Sequence, residues 1–200
     1  MKKVALISFM IVLFTACSTT YPAVTQYRIA PKESAKKEHF STECKAKTLK
    51  ISQVFVKNSL MGKEMKYIVG DYKEYAYNQS EWAEHPNKAI SDVIINSLQR
   101  SNIFSHVSGY KSFTVSDYTL ESNIAEFTQH FSEDEQHSFA KIDITFSLID
   151  NSSVKIVASK HIVKSMPVAE ANAQSGVVAL NRLLESALDE MKLWIAKACK

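Results

Sequence analysis

Two stretches of this chain carry apolar residues at steps of three and four, the spacing of an amphipathic helix. The first begins at Pro86, whose fixed φ suits the first helical turn, and should end near Ser101-Asn102. The second covers residues 177–198 and is the clearest helix in the chain. Gly176 leaves the start of this helix open, because an interior glycine costs about 1 kcal/mol relative to alanine. The apolar positions of the second helix are Val177, Leu180, Leu184, Ala187, Met191, Trp194 and Ala198, with Leu183, Leu188 and Ile195 beside them.

Period-two alternation and β-branched residues predict strands elsewhere. The clearest case is Ile142 to Leu148, where apolar residues alternate with Asp143, Thr145 and Ser147. Gly70-Asp71 is a hairpin-turn candidate, and Tyr27-Arg28-Ile29 is a short extended piece that suits a sheet edge. The predicted strands are residues 49–56, 66–69, 72–77, 117–131, 138–150 and 153–165.

These elements give the order β-β-β-α-β-β-β-α over residues 46–200. We therefore predict a single α+β domain, in which two amphipathic helices cover one face of a curved, mostly antiparallel sheet. Residues 17–45 are predicted to be a tether, because 31–37 is charged and poor in large apolar groups.

The first sixteen residues have the pattern of a secretory signal peptide. Lys2 and Lys3 precede an apolar run from Val4 to Phe14, and small residues close the segment. That run is shorter than the roughly 18 residues that a transmembrane helix requires. We therefore expect residues 1–16 to be removed on export.

The end of this segment, Phe14-Thr15-Ala16-Cys17, resembles the lipobox of bacterial lipoproteins. The resemblance implies that the Cys17 thiol is acylated, by palmitate among other chains, and becomes the new N-terminus. Buried acyl chains, at about 0.8 kcal/mol per methylene, would anchor the protein to a membrane. Ser18 follows, with no aspartate of the inner-membrane retention signal, so the resemblance favours the periplasmic face of the outer membrane. An ordinary secretory signal containing a cysteine is the alternative.

The net charge does not change the predicted fold or location. The chain has 24 basic and 21 acidic residues, and removal of the signal peptide takes two of the lysines. A nearly neutral mature chain lacks the basic footprint of a nucleic-acid-binding protein.

Two cysteines remain after Cys17, and export places them in a compartment that permits disulfides. We therefore predict a bond between Cys44 and Cys199, which would close nearly the whole domain into one loop. Two unpaired thiols are the alternative, since sequence does not show distance.

No catalytic motif stands out, and the chain is predicted to be neither an enzyme nor a cofactor-binding protein. Gly-rich phosphate loops and the Gly-x-Ser-x-Gly nucleophile motif are absent from the sequence. His130 and His137 flank Glu133-Asp134-Glu135, a set that would suit a divalent metal. Metal ligands need a defined convergent geometry, whereas a solvated hairpin turn is polar in any case, and we predict no metal site.

Tyrosines and a tryptophan are concentrated between Tyr67 and Trp82. Such residues are enriched at protein interfaces, but tyrosine also simply favours strands. Both interpretations stay open from the sequence alone.

The chain resembles the auxiliary lipoproteins of ABC-type lipid transport systems, the partners of MCE proteins. The resemblance runs from Cys17 to the C-terminus. Tyr27-Arg28-Ile29 is similar to the family's Tyr-x-Leu stretch, and Tyr75-x-Tyr77 follows the Lys66 to Val69 strand as in the family. The most specific match is Glu81-Trp82-Ala83-Glu84-His85-Pro86, similar to the family's Trp-Ala-Glu-x-Pro signature at the start of the first helix.

This resemblance implies a non-catalytic subunit that contacts an MCE-domain protein while the lipid anchor holds it on the outer membrane. The residues expected to hold the fold or meet a partner are Tyr27, Tyr75, Tyr77, Trp82 and Pro86. Some members assemble into rings, so a homo-oligomer is a further implied partner. An outer-membrane lipoprotein that scaffolds or activates a cell-wall synthesis enzyme is the competing hypothesis.

Overall fold

Nine strands hydrogen-bond into one sheet in the computed structural model, which describes residues 22–32 and 43–199. Two α-helices complete this single α+β domain. The strands are β1 (Thr25–Tyr27), β2 (Thr48–Ile51), β3 (Phe55–Val56), β4 (Glu64–Val69), β5 (Lys73–Trp82), β6 (His106–Ser108), β7 (Tyr118–Phe131), β8 (Ser138–Asp150) and β9 (Lys155–Pro167). The helices are α1 (Pro86–Ser101) and α2 (Ala173–Ala198), and short 3-10 helices lie at Glu43–Ala46 and Asn58–Leu60.

The long strand β7 organises the sheet. On one side it pairs antiparallel with β8, which pairs antiparallel with the edge strand β9. On its other side β2, β3 and β4 pair with it in succession, all of them parallel. Next, β6 lies beside β2, β5 beside β4, and β1 beside β5.

The sheet is therefore mixed, although its two longest strand pairs, β7–β8 and β8–β9, are antiparallel. Five of the strand pairings are parallel and three are antiparallel. Parallel strands are joined by crossover connections rather than tight turns. The alternation of apolar and polar residues along one strand does not show where a crossover occurs or in which direction the partner strand runs.

The element order also differs from the prediction at three places. The Tyr27 segment forms a strand of its own, and the three-residue β6 gave no alternation to detect. The run over 49–56 breaks into β2 and β3, because the Val54 N–H donates to Ser91 Oγ of α1 at 3.0 Å instead of to a strand. The observed order is β-β-β-β-β-α-β-β-β-β-α.

The longest elements lie close to their predicted positions. The α1 helix begins at Pro86 and ends at Ser101, followed by Asn102 in a left-handed conformation. The α2 helix begins four residues before Val177, because the Asn172 side chain accepts a hydrogen bond from the Ser175 N–H at 2.9 Å and caps it.

One continuous hydrophobic core lies between the sheet and the helices. Each large aliphatic side chain buried there stabilises the fold by about 1.5–3 kcal/mol. Within the described ranges, neither helix is long and apolar enough to cross a membrane. The alternate residues that β8 buries are Ala140, Ile142, Ile144, Phe146 and Leu148.

Part of the segment predicted as a tether lies on the domain. Ile29 is buried, and the Ala30 N–H donates to Asn181 Oδ1 of α2 at 2.7 Å. The Asn181 amide in turn donates to the Arg28 carbonyl at 3.2 Å. The predicted signal peptide and Cys17 lie outside the described residues.

The two ends of the domain are joined by a disulfide between Cys44 and Cys199, with 5.3 Å between the Cα atoms. Cys44 lies in the 3-10 helix before β2, and Cys199 follows the last residue of α2. Both cysteines are buried. The bond therefore fixes the end of α2 beside the start of the sheet.

Candidate functional site

The β4–β5 hairpin carries the aromatic residues that the sequence singled out. Its turn residue Gly70 has a φ of 59°, which a glycine adopts without strain. The Tyr67 ring lies 5.7 Å from that of Tyr75, 4.6 Å from that of Tyr77 and 5.1 Å from that of Phe131. We call these four residues the aromatic cluster. Tyr75 is the exposed member, with 47% of its surface accessible.

Tyr77 connects this cluster to helix α2 through a buried amide. Its hydroxyl donates to Gln129 Oε1 at 3.0 Å, and Gln129 Nε2 donates to Ser138 Oγ at 2.9 Å. A Cβ atom at Gly176 would lie 1.8 Å from Gln129 Oε1, so a larger residue there would have to displace the Gln129 amide. Burial, with smaller contributions from Tyr67 and Tyr27, raises the pKa of Tyr77 well above its ordinary value. The tyrosine is therefore a neutral hydrogen-bond donor.

Trp82 is part of the core rather than of an open surface. Only 3% of its surface is exposed, and its ring lies 5.8 Å from that of Phe127. Its backbone N–H donates to the Lys63 carbonyl at 2.7 Å. Pro86, just beyond, is the buried first residue of α1. Trp82 and Pro86 therefore stabilise the fold and do not form an exposed contact surface.

Tyr27 lies beside Trp82 in the parallel pair β1–β5. Its carbonyl accepts a hydrogen bond from the Ala83 N–H at 2.7 Å. The structure thus brings Tyr27, Trp82 and Pro86 into one region, while Tyr75 and Tyr77 lie further along the same hairpin toward its turn.

His130, one of the two histidines near the acidic turn, is engaged in other contacts. His130 bonds Glu126, which also pairs with Lys141 Nζ at 2.7 Å, and the His130 ring stacks on Phe139 at 4.8 Å. Glu133 pairs with Lys73 at 2.5 Å. In the part of the chain that the structure describes, no three His, Cys, Asp or Glu side chains are grouped as metal ligands.

Asp134 stabilises the acidic turn itself. Its carboxylate accepts from Ser132 Oγ at 2.5 Å and from the Gln136 N–H at 3.2 Å. The first of these bonds, followed by the second, lowers the pKa of Asp134. The turn is therefore a hydrogen-bonded hairpin connection between β7 and β8.

Sequence reasoning missed an open cleft of about 540 Å³ where the hairpin turns meet the end of β9. It combines an apolar floor with histidine and serine side chains. No alternation or motif marks it, because its walls come from four separate stretches of the chain. Its lining includes Gly70, His130, Phe131, Phe139, Met166 and Pro167.

A comparison with known families identifies the family of this chain. A model of the family described as "ABC-type transport auxiliary lipoprotein component" matches residues 27–192. This chain belongs to that family. The match begins at Tyr27, the residue that lies beside Trp82, and the resemblance inferred from these motifs is confirmed. An auxiliary component of a transporter is consistent with a chain that has no catalytic role of its own.

Two solved structures share the fold of this auxiliary lipoprotein. Protein XCC0632 from Xanthomonas campestris matches with a TM-score of 0.76 and 15% identity, over 86% of this chain and 95% of that one. An uncharacterized protein matches with a TM-score of 0.67 and 14% identity, over 86% of this chain and 99% of that one. At these identities the likeness concerns the fold. Among curated proteins, none matches this chain.

Proposed function

We propose that this auxiliary lipoprotein is a non-catalytic subunit of an ABC-type system that moves lipid between two membranes. Its acylated Cys17 anchors it to the periplasmic face of the outer membrane, and its domain docks an MCE-domain protein that reaches across from the inner membrane. The observation that carries this proposal is the family match over residues 27–192.

The chemistry of the described residues supports a binding role. Of their fully buried side-chain nitrogen and oxygen atoms, all but Ser122 Oγ have a hydrogen-bond partner within the fold. The tyrosines of β5 and the tryptophan at its end mainly pack or hydrogen-bond within the domain. The buried polar groups are thus engaged in holding the fold.

The position of β1 supports docking close to the membrane. Eight residues lead from Cys17 to Thr25, the first residue of β1. A fully extended chain of that length spans at most about 28 Å. An acylated Cys17 therefore holds the domain next to its membrane, so a partner in the other membrane has to extend to the domain.

Affinity purification tests this proposal. The tagged full-length protein is purified from detergent-solubilised membranes, and the proteins that accompany it are identified by mass spectrometry. We expect an MCE-domain protein together with an ABC permease or ATPase. Cell-wall synthesis enzymes without an MCE-domain protein would instead establish the scaffold hypothesis.

The anchor needs its own control. Cys17→Ser removes the acylated thiol, and we expect the variant to lose incorporation of labelled palmitate and to leave the outer-membrane fraction. Retention of the label in this variant would show that Cys17 is not the lipidation site.

A further inference from the structure

The direction of the strands gives the domain two distinct ends. β7 runs from Tyr118 to Phe131, β4 runs parallel to it, and β5 returns antiparallel to β4. Because β1 is parallel to β5, the chain before β1 leaves toward the end that holds the Gly70-Asp71 turn. We call this the anchor end. The opposite end, which holds the loop over 109–117 and the turn over 151–154, is the far end.

Three large apolar side chains at the far end are more than four-fifths exposed. Phe113 is fully exposed, and Val115 and Val154 are 95% and 81% exposed. Val154 also has a φ of 55°, a conformation that β-branched residues rarely adopt. We call Phe113, Val115 and Val154 the far-end tip.

The two loops that carry the tip are fastened to each other. Asn151 Nδ2 donates to the Ser116 carbonyl at 2.8 Å, and the Asn151 N–H donates to the Asp117 carbonyl at 2.9 Å. Each apolar residue of the tip lies within three positions of this junction. These hydrogen bonds limit the movement of the two loops, so the exposed apolar side chains lose little conformational freedom on docking. Side chains of this kind act as anchors in binding hot spots.

The charge around the tip is opposite to that at the anchor end. Basic residues at the far end include Lys45, Lys50, Lys111, Lys155 and Lys197, and Lys47, which pairs with Asp117. The other acidic residues there include Glu43 and Asp150. The anchor end instead carries Asp71, Glu133, Asp134 and Glu135, with Lys73. An acidic partner is therefore attracted to the far end and repelled from the anchor end.

We propose that the far-end tip, with Lys111 and Lys155 beside it, is the docking surface for a protein that presents an apolar site bordered by carboxylates. This inference rests on the proposed function, in which that protein is the MCE-domain subunit. It adds which surface is used and which chemistry the partner must have.

The geometry favours a protein over a lipid bilayer at the tip. The strand direction at Thr25 points the preceding chain toward the anchor end. With the anchor end toward the membrane, the tip faces away from it. The surface that lies there in a two-membrane system belongs to a partner that comes across the gap.

The test uses the full-length protein and a triple variant, Phe113→Ser, Val115→Ser and Val154→Ser. These side chains are solvent-exposed, so we expect the same melting temperature. We expect at least a tenfold loss of the MCE-domain protein that co-purifies. The matched control is Tyr72→Ser, which removes a 94% exposed aromatic side chain at the anchor end and should leave recovery unchanged.

A second variant, Lys111→Glu with Lys155→Glu, tests the charge. We expect this variant to recover clearly less of the co-purifying protein than the wild-type protein does. The difference between the two should be smaller at high salt, because screening also weakens the wild-type interaction. If the wild-type protein recovers the MCE-domain protein and the triple variant recovers it equally well, the docking surface is wrong and the proposed function stands. If the wild-type protein recovers none, the proposed function fails and the docking inference fails with it.

A bilayer at the tip has a separate readout. Phe113→Trp places a fluorophore at the tip, and we expect no blue shift of its emission when vesicles of anionic phospholipid are added. A blue shift with these vesicles, together with undiminished partner recovery by the triple variant, would assign the tip to a membrane and overturn the proposal.

Discussion

Tyr27 and Trp82 are paired residues of the parallel strands β1 and β5, and the backbone after Trp82 donates a hydrogen bond to the Tyr27 carbonyl. The short motif near the N-terminus and the tryptophan motif before α1 are therefore two halves of one packing arrangement. The family match also begins at Tyr27.

The buried position of Trp82 gives the first prediction. Trp82→Ala should lower the free energy of unfolding by about 3–5 kcal/mol, because it leaves a cavity beside Phe127. Urea unfolding measures this. Tyr72→Ala, at an exposed position, should change the same quantity by no more than about 0.5 kcal/mol. Equal losses in the two variants would mean that Trp82 is not a core residue.

The contact between α2 and the sheet predicts that an alanine at position 176 is destabilising. In an unobstructed helix, Gly→Ala is stabilising by about 1 kcal/mol. Here Gln129 Oε1 blocks the new Cβ and is held by Tyr77, so we expect Gly176→Ala to cost about 1–3 kcal/mol. Gly62→Ala is the control, since the nearest atom to its Cβ is 3.8 Å away.

A double variant separates this contact from a general helix effect. Combining Gly176→Ala with Gln129→Ala removes the blocking amide, so the two losses of stability should be less than additive. Strictly additive losses would contradict the proposed clash.

The hydroxyl of Tyr77 is predicted to matter for stability, whereas that of Tyr75 is not. Tyr77→Phe leaves the buried Gln129 Oε1 without its donor, and we expect a loss of about 1–3 kcal/mol. Tyr75→Phe keeps a half-exposed ring and should be close to neutral. Thermal unfolding of the two variants in parallel decides the matter, and similar melting temperatures would contradict the hydrogen bond.

The Cys44–Cys199 bond should contribute strongly to stability, because it spans a sequence separation of 155 residues. On the chain-entropy account, a loop of this length is worth about 4–5 kcal/mol. Cys44→Ser with Cys199→Ser should therefore unfold at much lower urea concentration. Non-reducing alkylation of the exported protein is the direct check, and two free thiols there would show that the bond does not form.

Glu190 of α2 predicts a specific pH dependence. Its carboxylate lies 2.8 Å from the Nζ atoms of both Lys160 and Lys164. The hydrogen bond from Lys160, then that from Lys164, lowers the pKa of Glu190 below its ordinary value of 4.5. A depressed folded-state pKa stabilises the fold above the unfolded value, and this contribution is lost as the pH falls through the folded value.

The corresponding measurement compares the wild-type protein with Glu190→Gln across pH. Because the carboxylate is about one-third exposed, we expect a screened difference of about 1 kcal/mol or less at pH 7. The difference should shrink below pH 4.5 and disappear in stronger acid. A difference that stays constant or grows in acid would contradict the assignment.

The sequence pattern predicted the strands and helices whose own residues determine their structure. Strict alternation from Ile142 to Leu148 located β8, and Pro86 marked the first turn of α1. By contrast, β6 has only three residues, too few to show a period. The direction of β2, β3 and β4 relative to β7 depends on crossovers that no local pattern records.

The site was harder to predict, because its main contacts join distant residues. Gly176 looked like a weak point in a helix, yet it is where α2 meets Gln129. The aromatic stretch supported two interpretations, and the structure divides them by residue. Trp82 is buried in the core, Tyr77 hydrogen-bonds to an amide, and Tyr75 is half exposed.

The central claim is that this chain serves lipid movement between two membranes. The most direct test is the rate at which pulse-labelled phospholipid exchanges between inner and outer membranes in cells that lack the chain. We predict an altered rate and distribution, restored by the wild-type protein but not by Cys17→Ser. Unchanged lipid exchange, together with reduced cell-wall cross-linking, would contradict the transport role.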